Sequence, residues 1–323
     1  MQKEIRIGTR ASLMAVRQTE ALIDALRASF PDRQFTMVTR KADADLDLKS
    51  HIKSVGGKQG AFITAMRDLL LAGKADIVMH SLKDLPGNAE YYADDRFVLG
   101  ACLERNDPRD VLVLRSGLST SEPAVIGTAS VRRGAFLRRL YPRSTVVPFR
   151  GTADGRIERM DTSTPMRFNY GGQTPPIDAL VLAKNGLERI SLGHRISRVF
   201  EVDEMCPPVG QGVVVAECAR DNLEVLAMLK AITHRETLFC MNAERAMLRE
   251  LEGHCDSPIG GYAWIEGGRL NMVGTVVSLD GRSAITYRDS TDFAAPEALG
   301  ARVGRRLMSL GAAVLIEESR NAG

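Results

Sequence analysis

Apolar positions follow two alternating periods along most of the chain. Short runs such as "IRIGTR" from Ile5, "FTMVTR" from Phe35 and "ADIVMH" from Ala75 read as strands. Between them, apolar residues return every three or four positions, as Val16, Leu22, Ile23 and Leu26 do. That period puts them on one face of a helix. Strands alternating with amphipathic helices predict α/β domains with largely parallel sheets. The set recurs once. "AVIGTASVRRGAFL" from Ala124 echoes the Ile-Gly-Thr and helix-opening serine of "IRIGTRASLMAVRQ" from Ile5. "TVVPFRGTADG" from Thr145 echoes "FTMVTRKADAD" from Phe35, and "IDALVLAKNGL" from Ile177 echoes "ADIVMHSLKDL". Two similar domains in tandem predict a cleft between them.

After "PPVGQGVVVAEC" (207–218) the pattern changes. A helical period over about 235–252 is followed by a run with turn signals at Glu266–Gly268 and Asp280–Gly281. This predicts a three-stranded antiparallel meander, closed by a last helix over roughly 295–310. The third unit is therefore a small α+β domain.

With 323 residues the chain exceeds what one compact core usually holds. No apolar run approaches the ~18 residues that would span a bilayer, so no membrane role is expected. The start "MQKEIRIGTR" carries no apolar leader segment. Five cysteines (102, 206, 218, 240 and 255) are scattered without a CxxC pair, and five histidines lack metal-ligand spacing. Neither a zinc site nor a disulfide framework is suggested, no metal is expected, and a reducing cytoplasm fits. A net charge of +3 does not point to nucleic acid. Its distribution says more. Arg132, Arg133, Arg138, Arg139, Arg143, Arg150, Arg156 and Arg159 crowd one stretch with few aromatics among them. About half can be solvated helix surface; the others suit small polyanions, since a guanidinium fork binds carboxylates bidentately.

In α/β domains ligands sit beyond the carboxyl ends of the strands. Arg10, Ser12, Arg40, Lys83, Asp84, Ser130, Arg132 and Arg150 all fall there. The serines open helices, whose free N–H groups favour anions. A cleft for an anionic ligand is expected. Cys255, in "LRELEGHCDSPIGGYAWI", sits in a loop at the entrance to the third unit. From this stretch alone it is either a structural thiol near the surface or a reactive one.

The motifs "IGTRAS", "VGGK", "HSLKDLP", "ERNDPRDVLV", "GTASVRR", "FRGTADGRIERM", "PPVGQG" and "ERAMLRELEGHCDSPIGGYA" occur in order over nearly the whole length. Together the chain resembles the porphobilinogen deaminase (hydroxymethylbilane synthase) family. The resemblance implies two doubly wound domains like those of periplasmic binding proteins, the first completed by a segment returning after "PPVGQG". The bounds expected are 1–103 with 212–232, then 104–211, then 233–323. It implies a dipyrromethane cofactor joined by a thioether to Cys255. It also implies an activity: four porphobilinogen molecules are condensed head to tail with loss of ammonia, and the linear tetrapyrrole hydroxymethylbilane is released by hydrolysis. Asp84 matches the family's catalytic aspartate, which would stabilise the cation left by ammonia loss and move protons. Lys83, Ser130, Arg132, Arg133, Arg150 and Arg156 would hold the cofactor. Arg10, Ser12, Gln18 and Lys58 would meet substrate, with Lys58 on a lid over 41–60. His80 is read as structural, and the expected state is a cytoplasmic monomer.

The chain departs from the family at Gly253-His254-Cys255, at Arg150-Gly151-Thr152, at Asn185-Gly186, by one extra residue in "GGKQGAF" and by the long connection 161–176. Two rival readings stay open. A non-catalytic small-anion binding protein with the same cleft would need neither Cys255 nor Asp84. A divergent paralogue could keep the cofactor with altered activity.

Overall fold

The computed structural model describes residues 4–40, 58–87, 91, 93–162, 176–253 and 257–321, with only the backbone of 58–62. Most of the 41–60 and 161–176 segments, and Cys255 itself, lie outside the described residues.

The first sheet starts from β1 (Ile5–Arg10), helix α1 (Leu13–Ser29), β2 (Phe35–Arg40), helix α2 (Lys58–Leu71), β3 (Ile77–Ser81) and β4 (Phe97–Cys102). The second holds β5 (Asp110–Leu114), β6 (Val125–Thr128), α3 (Val131–Leu140), β7 (Thr145–Pro148), α4 (Ala153–Asp161), β8 (Ala179–Ala183), α5 (Lys184–Arg189) and β9 (Arg198–Val199). The chain then returns to the first sheet through β10 (Val214–Ala219) and α6 (Leu223–Ala231). The third unit is α7 (Arg235–Glu250), β11 (Ile259–Glu266), β12 (Arg269–Val277), β13 (Ala284–Thr291), α8 (Pro296–Ser309) and α9 (Ala312–Asn321).

The two large sheets correspond strand for strand, in the orders β2-β1-β3-β10-β4 and β7-β6-β8-β5-β9. The sequence echo is therefore a structural one: β1, β2 and β3 match β6, β7 and β8. One expectation needs refinement. Each sheet contains an antiparallel strand, β10 between β3 and β4, and β5 between β8 and β9. Both are the strands that enter from the other domain, and they arrive from the opposite direction. The connecting segments 103–109 and 200–213 are thus two adjacent crossovers.

The local reasons match across the echo. Helix α1 buries Ala15, Gln18, Thr19, Leu22, Ile23 and Leu26, the spacing of one helical face. Ser12 caps it by accepting from Ala15 N (3.4 Å), and Ser130 caps α3 by accepting from Arg133 N (3.3 Å). The shared glycine is a packing requirement. A Cβ on Gly8 would come within 2.9 Å of Leu69, and one on Gly127 within 2.9 Å of Leu180 and Phe149.

The third unit is a three-stranded antiparallel sheet, β11-β12-β13, covered by helices. It packs on both larger domains. Val273 and Val277 share a core with Phe136 and Cys206, while Met241 packs with Leu82 and Leu85. Burying one such side chain contributes roughly 1.5–3 kcal/mol. The expected final helix is α8; α9 was not anticipated from the pattern, and Gly311, with φ at 99°, makes the break between them. No described helix is long and apolar enough to cross a membrane.

Candidate active site

The "HSLKDLP" segment leaves β3 and forms a single 3-10 turn, Leu82–Asp84. Leu82 N donates to the Val213 carbonyl (2.9 Å), and Leu85 N closes the turn on the Leu82 carbonyl (3.0 Å). Leu82 and Leu85 are buried, which turns Lys83 and Asp84 toward the opposite side. Arg10, Gln18, Ser81 and Asp84 line one small hollow with Met66, Met79 and His80. Gln18 Nε2 donates to Ser81 Oγ (2.8 Å), tying α1 to the end of β3. Asp84 lines the hollow, and its carboxylate accepts no hydrogen bond from a described residue, while its charge favours the Lys83 ammonium.

Ser130, Arg132 and Arg133 open α3 at the matching place in the second domain. The two arginines converge on Asp110, which is fully buried at the start of β5. Arg132 pairs with one carboxylate oxygen, and Arg133 donates to the other from Nε (3.1 Å) and Nη2 (2.8 Å). Arg132 also donates to the Cys206 carbonyl (2.6 Å). Gln211 of the second crossover joins the domains here. Its Nε2 donates to Asp110 (2.8 Å), while its Oε1 accepts from Lys83 Nζ (3.1 Å) and Arg133 Nη2 (3.4 Å). Lys83 of the first domain and Arg133 of the second therefore meet on one glutamine.

Positive charge accumulates around this point. Burial, and then the Arg133 charge, push the Lys83 ammonium down to about 8, against the pull of Asp84 and Asp110. Burial, with Arg133 and Arg159 nearby, pushes Arg156 down to about 9. Burial alone would raise the Asp110 carboxyl, but Arg132 and Arg133 outweigh it and hold the group well below the carboxylate range. Arg156 Nε donates to the Thr152 carbonyl (3.4 Å), and Arg159 donates to the Arg150 carbonyl.

The structure thus brings Lys83, Arg132, Arg133 and Arg156 into one electrostatic cluster and Arg10, Gln18 and Asp84 into one hollow. Ser12 and Ser130 serve as helix caps at the same strand ends, and Arg150 stands at the exit of β7. The side chains of Lys58 and Cys255 lie outside the described residues. Of the remaining arginines, Arg143 fits the reading of part of this group as solvated surface, while Arg138 and Arg139 depart from it. Arg143 pairs with Glu122 on the surface. Arg138 and Arg139 are exposed but not merely solvated: they donate to the carbonyls of Leu279 (3.0 Å) and Arg282 (3.5 Å). The β12–β13 hairpin of the third unit packs there, with Gly281 against the α3 backbone.

Sequence reasoning missed Asp110, Gln211, Glu217 and Glu244. Glu217 is 1% exposed within β10 and accepts from Arg67 Nη2 (2.6 Å), His80 Nε2 (3.3 Å) and Tyr91 Oη (3.2 Å). Burial alone would raise it, but His80 and Arg67 hold it near about 2. His80 is thereby a member of a buried polar network behind the Lys83–Asp84 turn. Glu244 of α7 accepts from Arg105 and from the backbone N–H groups of Gly210 (2.7 Å) and Ala263 (2.8 Å), joining the third unit to both crossovers. For the three acids the available signal was a carboxylate beside or inside an apolar run, which must find a partner; Gln211 carried no such signal.

Two family models match the chain: porphobilinogen deaminase, dipyromethane cofactor binding domain, over residues 5–227, and porphobilinogen deaminase, C-terminal domain, over 238–309. The chain belongs to the porphobilinogen deaminase family. A porphobilinogen deaminase of Alkaliphilus metalliredigens is 37% identical over 98% of this chain and 95% of its own length. One of Synechococcus elongatus is 36% identical over 98% of this chain and 95% of its own. Among solved structures, the periplasmic aliphatic sulphonate binding protein SsuA of Escherichia coli aligns at 14% identity and a TM-score of 0.39, over 78% of this chain and 71% of that one. The residues present fit the family's dipyrromethane, which carries carboxylate side chains. The donor set is cationic, burial and then the neighbouring Arg133 charge push Lys83 and Arg156 down, and Arg132 Nε is buried with no partner among the described residues.

Proposed function

We infer that the chain performs its family's reaction. It condenses four porphobilinogen molecules head to tail on a covalent dipyrromethane, releases ammonia at each step and hydrolyses off the linear tetrapyrrole hydroxymethylbilane. It is a transferase of tetrapyrrole biosynthesis. The single observation that best supports this reading is the junction at Gln211, where Lys83 and Arg133 meet beside the turn that carries Asp84.

The roles follow from that arrangement. Cys255 carries the cofactor sulfur. Lys83, Ser130, Arg132, Arg133, Arg150 and Arg156 hold its carboxylates, and Arg10, Ser12, Gln18 and Lys58 meet substrate. When bound, the dipyrromethane supplies the pyrrole terminus from which the product grows. Asp84 stabilises the positive charge that ammonia loss leaves on the substrate, and its carboxylate can accept a pyrrole N–H and move its proton. Each charge-assisted hydrogen bond from these lysines and arginines to a carboxylate contributes about 1.5–3 kcal/mol. The organisation proposed is a first domain of 1–103 and 212–232, a second of 104–211 and a third of 233–323. The protein is taken to act as a cytoplasmic monomer without nucleic acid.

The test is intact mass spectrometry of the purified protein with a product assay on porphobilinogen. The reading predicts hydroxymethylbilane formation and a mass excess of two linked pyrroles that Cys255→Ser loses. Active protein of unmodified mass would overturn it. The binding-protein alternative predicts neither excess nor product.

A further inference from the structure

Helix α7 is more than the lead-in to the cofactor loop. Met241, Arg245 and Leu248 recur at helical spacing along it, so they share one face. That face lies against the segment 82–87, which carries Lys83 and Asp84. Met241 packs with Leu82 and Leu85 beneath the turn. Arg245, only 4% exposed, donates from Nη2 to the Pro86 carbonyl (2.8 Å), two residues beyond Asp84. Its guanidinium also lies 5.4 Å from the ring centroid of Tyr91, whose hydroxyl donates to Glu217.

Leu248 completes the contact. Gly87, at the end of the segment, is so close that a Cβ there would collide with the Leu248 side chain. A Cβ on Gly253 would collide with the same side chain from the other direction. Gly253 is not the left-handed residue of this helix end. That is Glu252, with φ at 46°, while Gly253 N donates to the Leu248 carbonyl (3.0 Å). Both glycines are thus explained by close approach to one leucine. Gly253 lies two residues before Cys255 in the sequence. One turn of α7 therefore touches the segment that bears the catalytic carboxylate and the residue that leads into the loop bearing the sulfur.

We propose that Arg245 is a positioning residue for Asp84, and that Arg245 with Leu248 fixes the Asp84 turn relative to Gly253 at the end of α7. The reason is geometric. A buried guanidinium on a backbone carbonyl has little freedom, and the two glycine contacts remove lateral play. Small misplacements of a reacting group cost rate rather than affinity. The inference rests on the assignment of Asp84 given above.

The experiment compares Arg245→Gln, Arg245→Lys, Gly87→Ala and Asp84→Asn. For each, cofactor load is read by intact mass, folding by thermal unfolding, and kcat and KM are determined separately. The expected result is full loading and folding of Arg245→Gln with kcat lowered roughly 10–100-fold and KM within about three-fold. Arg245→Lys keeps a charged donor for Pro86 and should recover much of the loss. Gly87→Ala, which moves the turn off Leu248, should lower kcat by a similar factor without loss of cofactor. A kcat for Arg245→Gln within about two-fold of the parent would overturn the inference. So would a kcat loss no larger than its loss of loaded, folded protein. If Arg245→Gln does not fold, Gly87→Ala decides: lowered kcat at full loading supports the inference, and parental kcat overturns it. Retained turnover in Asp84→Asn would overturn the Asp84 assignment and this inference with it. Lost turnover in Asp84→Asn beside normal turnover in Arg245→Gln would overturn this inference alone.

Discussion

Asp110→Asn is the sharpest perturbation of the arginine cluster. The carboxylate is fully buried and accepts from Arg132, from Arg133 twice and from Gln211. Asparagine keeps the volume and some hydrogen bonding but removes the charge that compensates two buried guanidiniums. Breaking a buried pair on one side costs about 3–5 kcal/mol, because the remaining charge stays desolvated. A chain of this size has an unfolding entropy near 0.7 kcal/mol/K by the usual per-residue value, so a single cooperative transition should fall by roughly 4–7 °C. Independent melting of the second domain would make the shift in that transition larger, since fewer residues share it. The control is Glu122→Gln, which removes the exposed pair with Arg143 and should cost about 0–1 kcal/mol. Thermal unfolding followed by circular dichroism at pH 7 reads both. The sign of the pH dependence is fixed as well. The Asp110 carboxyl lies below its unfolded value, so its contribution is complete above about pH 4 and is lost as pH falls toward the folded value. Asp110→Asn should therefore narrow its deficit in acid. An Asp110→Asn midpoint no lower than that of Glu122→Gln would refute the view that this carboxylate anchors the cluster.

Other outcomes follow from the same geometry. Burial pushes the Lys83 ammonium down to about 8 in the site without cofactor, so its hold on the cofactor's carboxylates should be strongest below that pH. Loading of apo-protein with the cofactor, read by intact mass, should weaken as pH climbs through it, and Lys83→Arg should flatten the fall; loading independent of pH between 7 and about 9.5 would contradict this. Arg156→Leu should let partly elongated enzyme–pyrrole species accumulate in the mass spectrum, and an unchanged distribution would remove Arg156 from the site. Arg138→Leu and Arg139→Leu should keep turnover within about a few fold of the parent while lowering the unfolding midpoint slightly, because they hold the hairpin of the third unit.

Much of the fold was legible because the duplicated domains repeat local signals. Ser12 and Ser130 cap corresponding helices, and Gly8 and Gly127 sit where neighbouring side chains cross the central strands. The antiparallel strands were harder to read. "DVLVL" and "VVAECA" are apolar runs, and such a run carries no sign of its direction. The arginines were visible as a crowd, but not which of them share a carboxylate, because Arg132 and Asp110 are 22 residues apart and Gln211 and Asp110 are 101 apart. Arg138 and Arg139 looked like solvent-facing helix because their partners are backbone carbonyls of another domain, which side-chain patterns do not report. The contact of α7 with the Asp84 turn was hidden for the same reason: Arg245 meets a carbonyl, and Leu248 meets two glycines.

The role of Asp84 is tested most directly by Asp84→Asn in protein whose cofactor load has been verified by intact mass. The substitution keeps size and hydrogen bonding and removes the negative charge. If Asp84 stabilises the cation and moves the proton, turnover of porphobilinogen should fall by about 10²–10⁴-fold while fold and cofactor mass stay those of the parent. Turnover within a few fold of the parent in fully loaded Asp84→Asn protein would contradict the account.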